Sequence, residues 1–142
     1  MKMSNVNVYS YDQIKVGEVH SFTRTITKND VLTFSSLTGD INPLHIDEEF
    51  GKKSKFGKNI VHGMLISSLF SRLVGVHCPG EKCLYLSQSC QFKQPLFYDE
   101  TVEVIGTVVQ KTDALRMLKM KMEVIRENDI IVTGEAQVQL ID

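Results

Sequence analysis

One stretch limits what this chain can fold into more than any other. Gly63 to Val76 (GMLISSLFSRLVGV) is apolar almost all the way round a helix. Ser67, Ser68 and Ser71 are its small polar members and Arg72 is its only formal charge. A helix of that kind is buried on most sides, so something must cover it. The segments downstream can do so, because they read as β. Leu84, Leu86, Cys90 and Phe92 fall on one parity, with Tyr85, Ser87, Ser89 and Gln91 on the other. Val102, Val104 and Val108 stand opposite Thr101, Glu103 and Thr107. Leu118, Met120, Met122 and Val124 alternate with Lys119, Lys121 and Glu123, and Val132, Ala136, Val138 and Leu140 share a parity in the last run. Such alternation marks half-buried strands, and Glu127-Asn128-Asp129 marks a turn between two of them. Strands joined by short turns pair antiparallel. The expected fold is therefore α+β: one long antiparallel sheet wrapped around one buried central helix, each covering the other's apolar surface.

Upstream, Gly17 to Thr25 is a plausible strand with an imperfect pattern. Thr27-Lys28-Asn29-Asp30 looks like a helix start, since threonine can cap the first amides and an acid suits the positive end of the helix dipole. Val31, Phe34 and Leu37 come next at helical spacing, and Gly39 is well placed to stop the helix. Asp40 to Asn59 reads as loop-rich, with a short helix around Asp47 to Lys53. Met1 to Ser10 is expected to be a flexible tail; it is polar and lacks the pattern of a secretory signal. Nothing argues for a second domain, so residues 1–142 are read as one.

The formal net charge is -1 and the basic residues form no long run, which argues against a nucleic-acid partner. No run approaches the roughly 18 apolar residues of a membrane span. A cytoplasmic protein is expected, with a small molecule or another copy of the chain as partner. The three cysteines, Cys78, Cys83 and Cys90, show no CxxC, so reduced thiols are expected and no metal site.

Functional side chains are densest in Gly39-Asp40-Ile41-Asn42-Pro43-Leu44-His45-Ile46-Asp47. Gly, Asp, Asn and Pro are ordinary turn residues, and a lone acid or histidine there would usually be structural. The combination says more. Pro43 lies between Asp40 and His45 and limits backbone freedom, so both can face one site. A carboxylate and an imidazole together can deprotonate water and deliver a proton to carbon. Asn42 offers a donor and an acceptor for orienting water or a ligand. A second candidate is His62-Gly63 at the head of the apolar helix. Unpaired amides there carry partial positive charge, and glycine admits a ligand atom close to the backbone. That suits the oxygen of a thioester as negative charge develops on it. Gly near an N-cap remains the plainer reading of Gly63. No GxGxxG, GxxxxGK[ST], GxSxG or HExxH is present.

GDINPLHID, with HGMLISSLFSRLVG downstream of it, resembles the (R)-specific enoyl-CoA hydratases, the hydratase 2 branch of the MaoC-like hotdog proteins. The segment PGEKCLYLSQSCQFKQPLFYDETVEV is similar to the corresponding segment of short-chain members serving polyhydroxyalkanoate synthesis. The likeness runs from about Phe22 to the C-terminus. It implies a hotdog fold and hydration of trans-2-enoyl-CoA to (R)-3-hydroxyacyl-CoA. It implies Asp40 and His45 as the catalytic pair, Asn42 as a supporting residue, the Gly63 amide on the thioester oxygen, and Ser71 and Val74 shaping the acyl pocket. It also implies a homodimer with no metal and no organic cofactor, CoA being part of the substrate. Arg72 and Gln94 depart from residues usual in the family.

Two other readings compete. A hotdog acyl-CoA thioesterase usually places an acid on or near the central helix, and none lies between Gly63 and Gly75. A non-catalytic acyl-thioester binding module would gain nothing from an acid–base couple at Asp40 and His45.

Overall fold

In the computed structural model, which describes residues 5–141, the elements come in the order anticipated, one strand, then the helices, then the remaining strands. A short 3-10 turn (Tyr11–Gln13) leads into β1 (Val19–Ile26) and α1 (Lys28–Thr38). Two small helices come next, α2 (Pro43–Ile46) and α3 (Glu48–Lys53), and then α4 (Gly63–Arg72), which runs on as a π-turn over Leu73–His77. The remaining strands are β2 (Cys83–Gln88), β3 (Gln91–Phe92), β4 (Glu100–Thr112), β5 (Met117–Arg126) and β6 (Asp129–Leu140). They form one six-stranded antiparallel sheet in the order β1-β4-β5-β6-β2, with β3 also paired to β6.

The start of α1 is closed as its sequence suggests. Thr27 Oγ1 accepts from the Asp30 amide and the Asp30 carboxylate accepts from the Thr27 amide. Gly39, at φ +81°, ends the helix in the left-handed region.

The core lies between α4 and the concave face of the sheet. Ile66, Phe70, Leu73 and Val74 from the helix are buried against Val102, Val104 and Val108 of β4 and Leu118, Met120, Met122 and Val124 of β5. These strand residues are the parity classes read from the sequence. Gly106 interrupts the β4 class for a steric reason: a Cβ there would come 2.0 Å from Leu73 Cδ2. The missing side chain lets the π-turn lie directly on the sheet.

Three expectations need correction. The central helix is not covered all round in the single chain, because one sheet can cover only one side. Met64 is 64% exposed, and Ser68, Ser71 and Arg72 lie on the open side. The run from Leu84 to Phe92 is not one strand. It breaks into β2 and β3, with the register of β2 on β6 slipping between Tyr85 and Ser87. In the edge strand β2 the apolar parity faces outward, Leu84 and Leu86 being 48% and 45% exposed, while Tyr85 packs on the core. Finally, the part of the expected tail that the structure describes is tied down. Asn7 exchanges backbone bonds with Val76 and Glu81 and donates its side-chain amide to His77 O, and Val8 bridges Gly80. Those bonds satisfy backbone groups that the turn after α4 leaves unpaired. Residues 1–4 lie outside the described part.

Candidate active site

The segment after α1 is built by short-range side-chain-to-backbone bonds. Asp40 Oδ1 accepts from the Asn42 amide, an Asx turn that holds the carboxylate over its own loop. Asn42 then caps α2: its Oδ1 accepts from the Leu44 amide at 3.0 Å, with Pro43 at the first helical position. This single turn carries His45. Two further contacts fix His45. Its Nδ1 lies 2.8 Å from Ile60 O, and its own carbonyl accepts from Tyr98 Oη. A carbonyl oxygen can only accept, so Nδ1 carries the hydrogen and Nε2 is left free to exchange protons.

Asn59 holds the whole turn from below. Its side-chain amide donates to Leu44 O and Asp47 O, both at 2.9 Å, and the residue is buried. Gly51 makes room for it, since a Cβ there would come 2.6 Å from Asn59 Nδ2.

The chain then brings His62, the N-cap of α4, beside the pair. A carboxylate oxygen of Asp40, a ring nitrogen of His45 and a ring nitrogen of His62 all lie within 4.8 Å of one another. The rings of His45 and His62 have centroids 4.0 Å apart and are tilted by 30°. Burial pushes the His62 pKa down, a shift the Asp40 carbonyl opposes and His45 reinforces. The same three side chains are a set that could hold a metal ion, as are Glu18, His20 and Cys78. In the second group Glu18 and His20 pair with each other at 3.1 Å. Cys78 is fully buried and its thiol is pushed up to about 12, chiefly by that burial.

Gly63 is the first residue of α4, where backbone amides lack intrahelical acceptors. It borders a largely apolar cavity of about 420 Å³, with Ile60, Val61, Ile66, Phe92 and Leu96 among its walls. Glycine has a packing reason here too, because a Cβ would lie 2.8 Å from the Phe92 ring. A second cavity, of about 320 Å³, runs between α1 and α4 past Phe34, Leu37 and Leu65. Ser71 and Val74 are parted from both. Ser71 is exposed, Val74 is fully buried, and neither lines either of these two cavities. The π-turn that begins at Leu73 disturbs the regular helical spacing between them.

Sequence reasoning thus anticipated a site at Asp40, Asn42, His45 and Gly63, and the structure gathers the first three around α2 and puts Gly63 one residue from His62. It singled out His62 only with Gly63 at the head of the apolar helix and not as a partner of the pair, and it missed Asn59. No spacing rule links either to a histidine so far back along the chain. The available signals were the place of His62 beside Gly63 at the head of the apolar helix and, for Asn59, a polar residue preceding the apolar Ile60-Val61.

Residues 12–130 match the sequence profile of the MaoC like domain. The chain belongs to the MaoC-like family. Among its relatives within the family is the (R)-specific enoyl-CoA hydratase of Aeromonas caviae, 36% identical over 92% of this chain and 98% of that protein. The tomato (Solanum lycopersicum) mitochondrial 3-hydroxyacyl-[acyl-carrier-protein] dehydratase is 35% identical, over 92% of this chain and 80% of that one. Solved structures agree with the MaoC-like fold. The A. caviae (R)-hydratase involved in PHA biosynthesis superposes with a TM-score of 0.87 at 34% identity, covering 89% of this chain and 97% of that one. An unliganded (R)-hydratase from Pseudomonas aeruginosa reaches 0.93 at 28% identity, covering 98% and 90%. These are hotdog proteins, and the six-stranded sheet around α4 is the same architecture.

Proposed function

We propose that this MaoC-like domain adds water to trans-2-enoyl-CoA to give (R)-3-hydroxyacyl-CoA, and runs the reverse dehydration. The observation that carries the reading is the meeting of the Asp40 carboxylate and the His45 ring within 4.8 Å, beside the α4 N-terminus. The names of relatives matching nearly the full length of the chain support it.

The chemistry arises from the positions. The thioester makes C3 of the enoyl chain electrophilic. Asp40 and the free Nε2 of His45 orient a water and take its proton as its oxygen bonds to C3. The double-bond electrons move towards the carbonyl and leave an enolate, whose oxygen the Gly63 amide and the helix N-terminus stabilise. The same acid–base pair then delivers a proton to C2, and Asn42 supports the arrangement by holding α2. The substrate brings its own activation, so no metal or organic cofactor is needed. Val74, in the turn that extends α4, is assigned to limiting acyl length, and Ser71, near the end of α4, to shaping the acyl pocket.

The working form is a homodimer in this reading. Met64 on the open side of α4, and the outward Leu84 and Leu86 on the sheet edge, are exposed apolar side chains that a second copy would cover. Among the described residues no helix is long and apolar enough to cross a membrane. Action in the cytoplasm is part of the same proposal.

The test is an assay of purified protein with crotonyl-CoA, in which enoyl absorbance should fall with no thiol released. Thiol release at a matching rate would replace the hydratase with a thioesterase. The same acyl group on acyl carrier protein tells which carrier is used.

A further inference from the structure

His62 is the most completely enclosed polar side chain of the site, 2% exposed. Several elements meet on its ring. Ser35 Oγ of α1 lies 3.1 Å from Nε2, the Asp40 carbonyl 3.3 Å from the same nitrogen, and the rings of Phe34 and His45 pack at centroid distances of 4.8 and 4.0 Å. Because the Asp40 carbonyl can only accept, that contact requires hydrogen on Nε2. Nδ1 is then the lone-pair nitrogen, and it is buried with no hydrogen-bond partner among the described residues. A charged imidazolium would put a second N–H on Nδ1 with nothing to receive it, so the ring stays neutral beside His45. A buried orphan nitrogen costs stability, and an apolar ring would pack against Phe34 and His45 without that cost. Packing alone does not account for a histidine here.

We propose that His62 is a positioning residue for the hydration step, its Nε2–H setting the Asp40 loop and its ring setting the plane of His45. One buried side chain then fixes both reacting groups relative to the Gly63 amide, the next residue in the chain. Asp40 needs such a tether. The residue is exposed, and its other side-chain and amide bonds among the described residues run only to its neighbours Thr38 and Asn42. The inference rests on the reading of Asp40 and His45 as the acid–base pair.

Two substitutions separate the two contacts. His62→Phe keeps a buried ring against His45 and loses the donor; His62→Gln offers an amide donor near the place of Nε2 and loses the ring. Displacing a reacting group by about 1 Å can cost ~10²-fold. The expected result for His62→Phe is a fall in kcat of roughly 10–100-fold with KM within about threefold, and partial recovery of kcat in His62→Gln. A folded His62→Phe protein with kcat within about twofold of the parent, or with KM alone changed, overturns the inference. Nitrogen-15 NMR of the unaltered protein reads the tether without any variant. His62 should be neutral and protonated on Nε2 near neutral pH, and an imidazolium or an Nδ1–H tautomer overturns the proposal even if both variants fail to fold. An unaltered protein without hydratase activity would refute the functional reading instead, and the NMR tautomer would still decide the tether.

Discussion

The α4–sheet core and the turn from Asp40 to Asp47 are held together by opposite means. In the core, Phe70, Leu73 and Val74 lie against Val104, Met120 and Met122, and stability comes from apolar surface taken out of water. In the turn, Asp40 to Pro43 are exposed, and the shape is set by polar bonds: Asp40 to the Asn42 amide, Asn42 to the Leu44 amide, Asn59 to two carbonyls, His45 to Ile60 O. The core therefore tolerates changes that keep volume. The turn tolerates changes that keep donors and acceptors. Damage to the first should appear in melting temperature, and damage to the second in turnover.

The largest expected effect tests the turn. Asp40→Asn keeps the shape and the acceptor for the Asn42 amide while removing the basic carboxylate. General acid–base groups contribute ~10²–10⁴-fold, so kcat for crotonyl-CoA should fall on that scale with the melting temperature unchanged. Near-parental turnover would remove Asp40 from the chemistry.

The core counterpart is Phe70→Ala, which empties a site that is 1% exposed. It should cost about 3–5 kcal/mol by chemical denaturation. The protein that remains folded should keep its kcat, and a loss of turnover beyond the folded fraction would show that the two regions are not separable.

Asn59→Ala sharpens the comparison, because Asn59 is a buried residue that serves the turn. It removes the side-chain donor from Leu44 O and Asp47 O, which keep the Ile60 and Gly51 amides, at about 0.5–1.5 kcal/mol in stability for each bond lost. Turnover should also fall, since those carbonyls flank His45. A loss of stability with kinetics untouched would class Asn59 with the core.

The regions also differed in how much of them could be read in advance. Alternation over Val102–Val108 and Leu118–Val124 predicted the core face of β4 and β5, because a sheet with one buried face imposes period two on its own residues. The Thr27–Asp30 cap and the Gly39 stop were legible because capping is chemistry within a few residues. The Asp40–His45 grouping was legible for the same reason, being confined to one turn. The failures are all long-range. His62 reaches the pair only after the chain has run through α3 and back. The outward parity of Leu84 and Leu86 depends on where the edge strand slips on β6. The open side of α4 was read as covered because a helix's own residues report that its surface is apolar and not which neighbour covers it.

The smallest expected effect crosses between the regions. Val74 belongs to the core by burial and to the site by its assigned role at the end of the acyl chain. Val74→Ala should cost on the order of 1–3 kcal/mol, from lost methyl burial and the cavity left behind. If the new space joins the acyl path, kcat/KM across an enoyl-CoA series should shift towards longer chains by ~0.8 kcal/mol for each methylene accommodated. Parallel profiles for the two proteins would return Val74 to packing alone.

Hydration by an acid–base pair leaves a mark that neither a thioesterase nor a binding module can leave. With crotonyl-CoA in deuterium oxide, the account predicts (R)-3-hydroxybutyryl-CoA carrying a deuteron at C2, with the thioester intact. Unchanged crotonyl-CoA, an (S) alcohol, or free CoA with crotonate would contradict it.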